Sequence, residues 1–213
     1  MTDAEPAADR RDGGSDRRGA DADGDRNGTD DGVEEIDCPT AGKRVRYVAT
    51  AADTGGEYAR FEMWLAPPPD SHGPMRHVHP EQDETLEVVS GRMGVWHEGE
   101  THLLDAGERV TIPKGDRHRF WNEGPDELRL VGEVRPALRT ERFMRVTYGL
   151  ARDGMSTPSG MPLNPLRLAV LLERYDDLLY LAAVPLSLQR LGVRLLAPLG
   201  RAVGYTSDYP EYE

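Results

Sequence analysis

The sequence predicts a mainly β domain, an antiparallel sandwich or barrel, followed by C-terminal α-helices. Two patterns predict it. From Thr85 to Val134, short apolar stretches alternate with turn signals: Ser90-Gly91, Glu98-Gly99, Asp105-Ala106-Gly107, Lys114-Gly115 and Asn122-Glu123-Gly124-Pro125. Turns arriving about every eight to ten residues are the cadence of antiparallel sheets folded onto each other. After Pro136 the apolar spacing lengthens from the strand period towards the helical one.

The elements follow in order. Residues 44–52 and 58–66 alternate like strands, with Gly55-Gly56 supplying the turn between them. Pro67-Pro68-Pro69-Asp70 ends the second, because proline cannot donate to a ladder. Val110 and Ile112 face one way and Thr111 the other, and Leu128 and Leu130 share a face. The barrel is expected over residues 44–136 and a helical extension over residues 137–204. Within the extension, residues 138–150 carry Phe143, Val146, Thr147 and Leu150 at helical spacing, stopped by Arg152-Asp153-Gly154. A second helix is predicted over 165–182, capped by Asn164 with Pro165 in its first turn. A third is predicted from Pro185 to about Ala202, kinked by Pro198. Residues 205–213 read as a polar tail.

Length and charge bound the rest. The chain has 213 residues, room for one core plus additions. Its formal net charge is −12, and of its 26 basic residues only Lys43 and Lys114 are lysine. An acidic, lysine-poor surface resembles salt-adapted proteins, and it argues against broad nucleic-acid binding. The lone cysteine, Cys38, cannot close an internal disulfide, which fits a reducing compartment. Residues 1–32 hold acids and arginines with almost no large apolar side chains, so a disordered acidic tail is expected there. They contain no apolar signal-peptide core, and a cytoplasmic location is the expectation.

Candidate chemistry concentrates between His77 and Asn122. Residues two apart in a strand share a face, so the rings of His77 and His79 can converge on one ion. Glu84 is in phase with Leu86 and Val88 and points inward if they do. His118 shares its alternation with Phe120 and Asn122. Three imidazoles and a carboxylate suit one divalent first-row metal (Fe, Mn, Ni, Cu or Zn) with a position left for water or substrate. The predicted ligands are therefore His77, His79, Glu84 and His118.

These residues resemble the two motifs of the cupin superfamily. The first, G-x5-H-x-H-x3-4-E-x6-G, is matched from His77 through Gly91. The second, G-x5-P-x-G-x2-H-x3-N, is matched at Gly107, Pro113, Gly115, His118 and Asn122. The likeness covers roughly residues 45–136. It departs at the start, where Ser71 stands in place of the leading glycine and Gly73 comes two residues late. The resemblance implies a double-stranded β-helix (jelly-roll) barrel and a metal held by the four residues above. It also implies a mononuclear metalloenzyme, dioxygenase-like or isomerase-like, in which Glu84 is both ligand and catalytic base. The alternative is a non-catalytic cupin that binds or senses a small molecule; a third reading is an assembly module.

The remaining candidates have plainer readings. His72, His97 and His102 lie outside the motifs and are expected at the surface. Asn122 is expected to fix a turn. Glu87 is out of phase with Glu84, and Trp121 with His118. Phe120 and Met93 are core or pocket residues, and the motif strands offer no second acid or base. The C-terminal helices are expected to pack on the barrel or to form a homodimer contact. Their uncharged run from Leu178 to Gln189 is too short to span a bilayer, and contact with a membrane surface is disfavoured.

Overall fold

A computed structural model of the chain describes residues 35–212. The acidic tail expected over residues 1–32 lies outside them. Ten strands come first: β1 (Glu35–Cys38), β2 (Lys43–Ala49), β3 (Ala59–Leu65), β4 (His77–Val78), β5 (Asp83–Ser90), β6 (Arg92–His97), β7 (Glu100–Asp105), β8 (Arg109–Ile112), β9 (His118–Asn122) and β10 (Leu128–Arg135). Then follow α1 (Thr140–Arg152), α2 (Pro165–Arg174), the short β11 (Tyr180–Leu181) and α3 (Leu186–Ala202).

The strands form two antiparallel sheets. The larger has the order β1-β2-β3-β10-β5-β8 and the smaller β11-β4-β9-β6-β7. Apart from β1-β2-β3 and the β6-β7 hairpin, neighbours in these sheets are distant in sequence, the mark of a jelly roll rather than a meander. Period-two alternation decides which side chains fill the space between the sheets. Phe61, Met63 and Leu65 of β3, Leu86 and Val88 of β5, and Leu128 and Leu130 of β10 are all buried in one cluster with Met93, Val95 and Phe120 of the smaller sheet. Each such side chain contributes about 1.5–3 kcal/mol on burial.

Asn122 holds the end of β9 as a turn-fixing residue should. Its amide nitrogen reaches the carbonyls of Leu65, Ala66 and Asp126 at 3.1, 3.1 and 2.8 Å. Its carbonyl oxygen accepts from the Gly124 N–H at 2.9 Å. Gly73, the late glycine before β4, is required by close approach. A Cβ there would sit 1.8 Å from the Phe120 carbonyl oxygen, with no flexible side chain to yield.

Three expectations need correction. The sheet begins before residue 44: β1 pairs with β2, and Cys38 lies fully buried in the core rather than on an approach to it. The helix predicted over 165–182 ends at Arg174. Leu178 and Leu179 instead turn inward, and Tyr180–Leu181 pairs with His77–Val78. Helical spacing of the leucines could not reveal this, because tertiary pairing overrides local propensity. The helix expected from Pro185 to about Ala202 is present as α3, with Pro198 inside it. The C-terminal residues are not merely polar. Tyr209 is buried, Tyr212 stacks on it, and the Tyr212 ring covers Gly149 of α1.

The helical extension sits over the open end of the barrel. Gln82, buried, donates to the Pro136 carbonyl at 2.7 Å and to Thr140 Oγ1 at 2.9 Å, fixing the start of α1. Phe143, Val146 and Leu150 of α1 form a second apolar cluster with Leu171, Tyr175, Leu178 and Leu179. Leu188, Leu191, Leu195 and Leu199 of α3, and Val203 just after it, are exposed. Among the described residues, no helix is long and apolar enough to cross a membrane.

Candidate metal centre

The four predicted ligands come together, all buried, with one donor atom from each lying within 4.8 Å of the others. The two sheets share the work. His77 on β4 pairs directly with His118 on β9 in the smaller sheet. His79 follows β4 by one residue. Glu84 on β5 belongs to the larger sheet, opposite Val134 and Ile112. The centre therefore bridges the sandwich.

Each imidazole is held by its other nitrogen. The Nδ1 atoms of His77, His79 and His118 lie 2.8, 2.7 and 3.1 Å from the carbonyls of Met75, Leu178 and Asp116. A carbonyl only accepts, so each Nδ1 carries the proton and a neutral ring presents its Nε2 lone pair inward. His77 Nε2 and His79 Nε2 are then 3.2 Å apart, lone pair towards lone pair. His118 Nε2 lies 3.0 Å from Glu84 Oε2, yet neither atom has a well-directed hydrogen bond. Converging acceptors with no donor among them fit a bound cation, and the carbonyl anchors supply the outer shell that metal-bound histidines use.

Electrostatics agree. Burial, reinforced by the other two imidazoles, holds His77 well below its usual pKa, and burial does the same to His79. Burial alone would raise the Glu84 carboxyl, but the adjoining His118 and the other imidazoles bring it down to about 2. Burial works against protonation of His118 too, but contact with Glu84 overcomes it and raises that ring above 6.5. A proton on His118 therefore competes with a metal at a higher pH than a proton on His77 or His79 does. Metal affinity should fall about tenfold per pH unit as pH drops below the raised His118 value, one proton being displaced per metal bound. His77 and His79 should join only in more acidic solution. Chelator competition between pH 8 and 6 checks this, and a flat profile would contradict it.

The site opens into a cavity of about 100 Å³. By volume that is room for several waters or a small organic molecule. One side is barrel, including Phe61, Met63 and Phe120; the other is the extension, including Phe143, Met144 and Leu178. Phe120 is thus both core and pocket, whereas Met93 is core alone. Two polar residues that the motif strands did not disclose also line it: Lys43 of β2 and Tyr148 of α1. Lys43 was readable in principle, since it stands in phase with the inward Val45 and Tyr47. Tyr148 was not, because its placement depends on how α1 docks. The other histidines stay outside the cluster: His72 and His102 are exposed, and half-buried His97 contacts Asp116 at 2.9 Å. Glu87 and Trp121 lie on the opposite faces of their strands from the site.

Comparison with known proteins agrees with the fold. The family model described as the cupin domain matches residues 63–132. Polyketide synthase CurC of Streptomyces cyaneus is 43% identical over 60 residues, 28% of this chain and 39% of that protein. Endoribonuclease YbeY of Myxococcus xanthus is 33% identical over 100 residues, 47% of this chain and 33% of that protein. The chain thus spans well under half the length of these curated relatives. Among solved structures, KdgF from Halomonas sp. aligns with a TM-score of 0.39 at 22% identity, over 45% of this chain and 79% of that one. By its two motifs and the matching family model, the stretch over residues 63–132 is a cupin domain.

Proposed function

We propose that the protein is a mononuclear metal-dependent enzyme acting on a small organic molecule, by dioxygenase-like or isomerase-like chemistry. One observation carries the reading. Three imidazoles and a carboxylate converge, with His118 Nε2 and Glu84 Oε2 unpartnered, and His77, His79 and Glu84 line a cavity that still has room for a substrate. When bound, a divalent metal there would supply Lewis acidity, polarising a substrate oxygen.

The protein's own residues do the rest. His77, His79 and His118 hold their donor atoms fixed through their carbonyl anchors. Glu84, ionised across the neutral range, supplies the negative charge and is the nearest proton acceptor at its Oε2. With its carboxyl held to about 2, it is a ligand first and a weak base. The apolar lining keeps bulk water from the reacting atoms and strengthens every charge interaction inside. Two of the matched proteins are named for polyketide synthases, which supports a substrate with a carbon skeleton and carbonyl groups. The net charge of −12 argues against an RNA substrate.

Turnover is the test. The metal-loaded protein, offered small keto and hydroxy acids, should either consume dioxygen or exchange a proton next to a carbonyl into deuterated water. Tight binding of such a compound with neither reaction would leave the non-catalytic reading in its place.

A further inference from the structure

We propose that Lys43, with Tyr148 beside it, forms an anion-binding subsite in the metal cavity, so that the ligand is a small organic acid with a carboxylate at one end and a metal-binding oxygen at the other. This deepens the metal-centre reading and rests on it for the position of the second oxygen.

The argument begins with where the lysine is. Lys43 opens β2 facing inward, 8% exposed, and lines the same cavity as His77, His79 and Glu84. Among the described residues its ammonium has no hydrogen bond and no ion pair; the Tyr148 ring, with its centroid 5.8 Å away, is what it faces. Burial lowers the Lys43 pKa, so its ammonium is costly as it stands, and an anion bound beside it would hold the proton on. Cys38 is the neighbouring titratable group, but burial raises its thiol, so it stays neutral and supplies no negative charge. Glu84 is engaged with the histidines, its Oε2 lying 3.0 Å from His118 Nε2.

The other polar groups of the cavity are already satisfied. Thr140 donates to the Ala137 carbonyl and Thr147 to the Phe143 carbonyl, both at 2.9 Å, and Ser159 pairs with Thr157 at 3.0 Å. Lys43 Nζ and the buried Tyr148 hydroxyl are the donors left over. Burial keeps that phenol protonated, so it can only offer its hydrogen to an anion. The chain also uses arginine for nearly all its basic residues, yet a lysine stands here. A compact ammonium is a point charge whose pKa responds to burial and to a bound anion, which an always-charged guanidinium would not do. With a divalent ion, one carboxylate and one ammonium, the cavity carries surplus positive charge for an anionic ligand to neutralise.

The experiment uses the full-length protein, its metal content measured first, titrated with malonate and pyruvate and with their uncharged amides. Wild type should bind at least one acid tenfold or more tighter than its amide. Lys43→Met should keep the wild-type metal content, bind that acid at least tenfold more weakly, and melt at or above the wild-type temperature because an uncompensated buried charge is gone. Lys43→Met that binds the acid as wild type does, that loses its metal, or that melts lower would overturn the assignment. So would a wild type that prefers neither acid to its amide. Metal-free wild type that still binds an acid through Lys43 would sink the metal-centre reading while leaving this subsite standing.

Discussion

The doubly substituted protein His77→Ala/His79→Ala should be purified without its metal, where wild type retains close to one equivalent. Two of four donors are removed, and the two that remain, Glu84 and His118, lie 3.0 Å apart and can pair with each other instead. Loss of a single outer-shell partner already costs roughly 10–100-fold in affinity. Loss of two inner ligands should exceed that, so elemental analysis should read near zero. The fold should survive, because the variant also loses the unfavourable approach of the two Nε2 atoms at 3.2 Å. Far-ultraviolet circular dichroism separates loss of metal from loss of structure. Cys38→Ala is the control: the thiol is buried in the barrel but lies outside the ligand cluster, and its removal should leave metal content unchanged. Metal that stays in the double variant, or leaves with Cys38, would show that the ligands have been misassigned.

Asn122→Ala should destabilise the fold strongly while leaving the metal in place. The asparagine is buried, and its one side chain serves three carbonyls and one N–H. Alanine strips a partner from all of them. An unsatisfied buried polar group costs about 1–3 kcal/mol, and water entering the gap recovers part of the sum, so a loss of about 3 kcal/mol is expected. For a domain of this size that lowers the melting temperature by about 10 °C. Urea unfolding should show an earlier midpoint with an unchanged slope. His118 lies a full strand length away on β9 and keeps its own anchor at Asp116, so metal stoichiometry should hold. A shift below about half a kcal/mol would mean that the turn is held by something else.

The strands and the ligands were legible because both are written in short-range rules. Alternation placed Leu86, Leu128 and Leu130 in the core, and two-residue spacing put His77 and His79 on one face. What escaped was whatever depends on contacts between distant parts of the chain. The leucines after Arg174 look helical by spacing, but Leu178 and Leu179 are drawn into the mouth of the barrel and the helix stops short. Nothing near position 79 announces that its ring is held by a carbonyl ninety-nine residues later. Tyr148 reads as one more apolar position of a helix until α1 is docked. Lys43 was the nearest miss: its phase was visible, but a lysine at the start of a strand ordinarily reads as surface.

The anchoring of His79 by Leu178 bears on timescale. The segment from Tyr175 to Leu181 covers the cavity and also fixes a ligand. Its transient opening would release the ring and expose the site in one event. The lifetime of a bound ion would then be set by how often this short stretch unlatches, a local unfolding step, rather than by the strength of the coordinate bonds alone. Occupancy would in turn slow amide exchange along that stretch, although most of it touches no ligand atom.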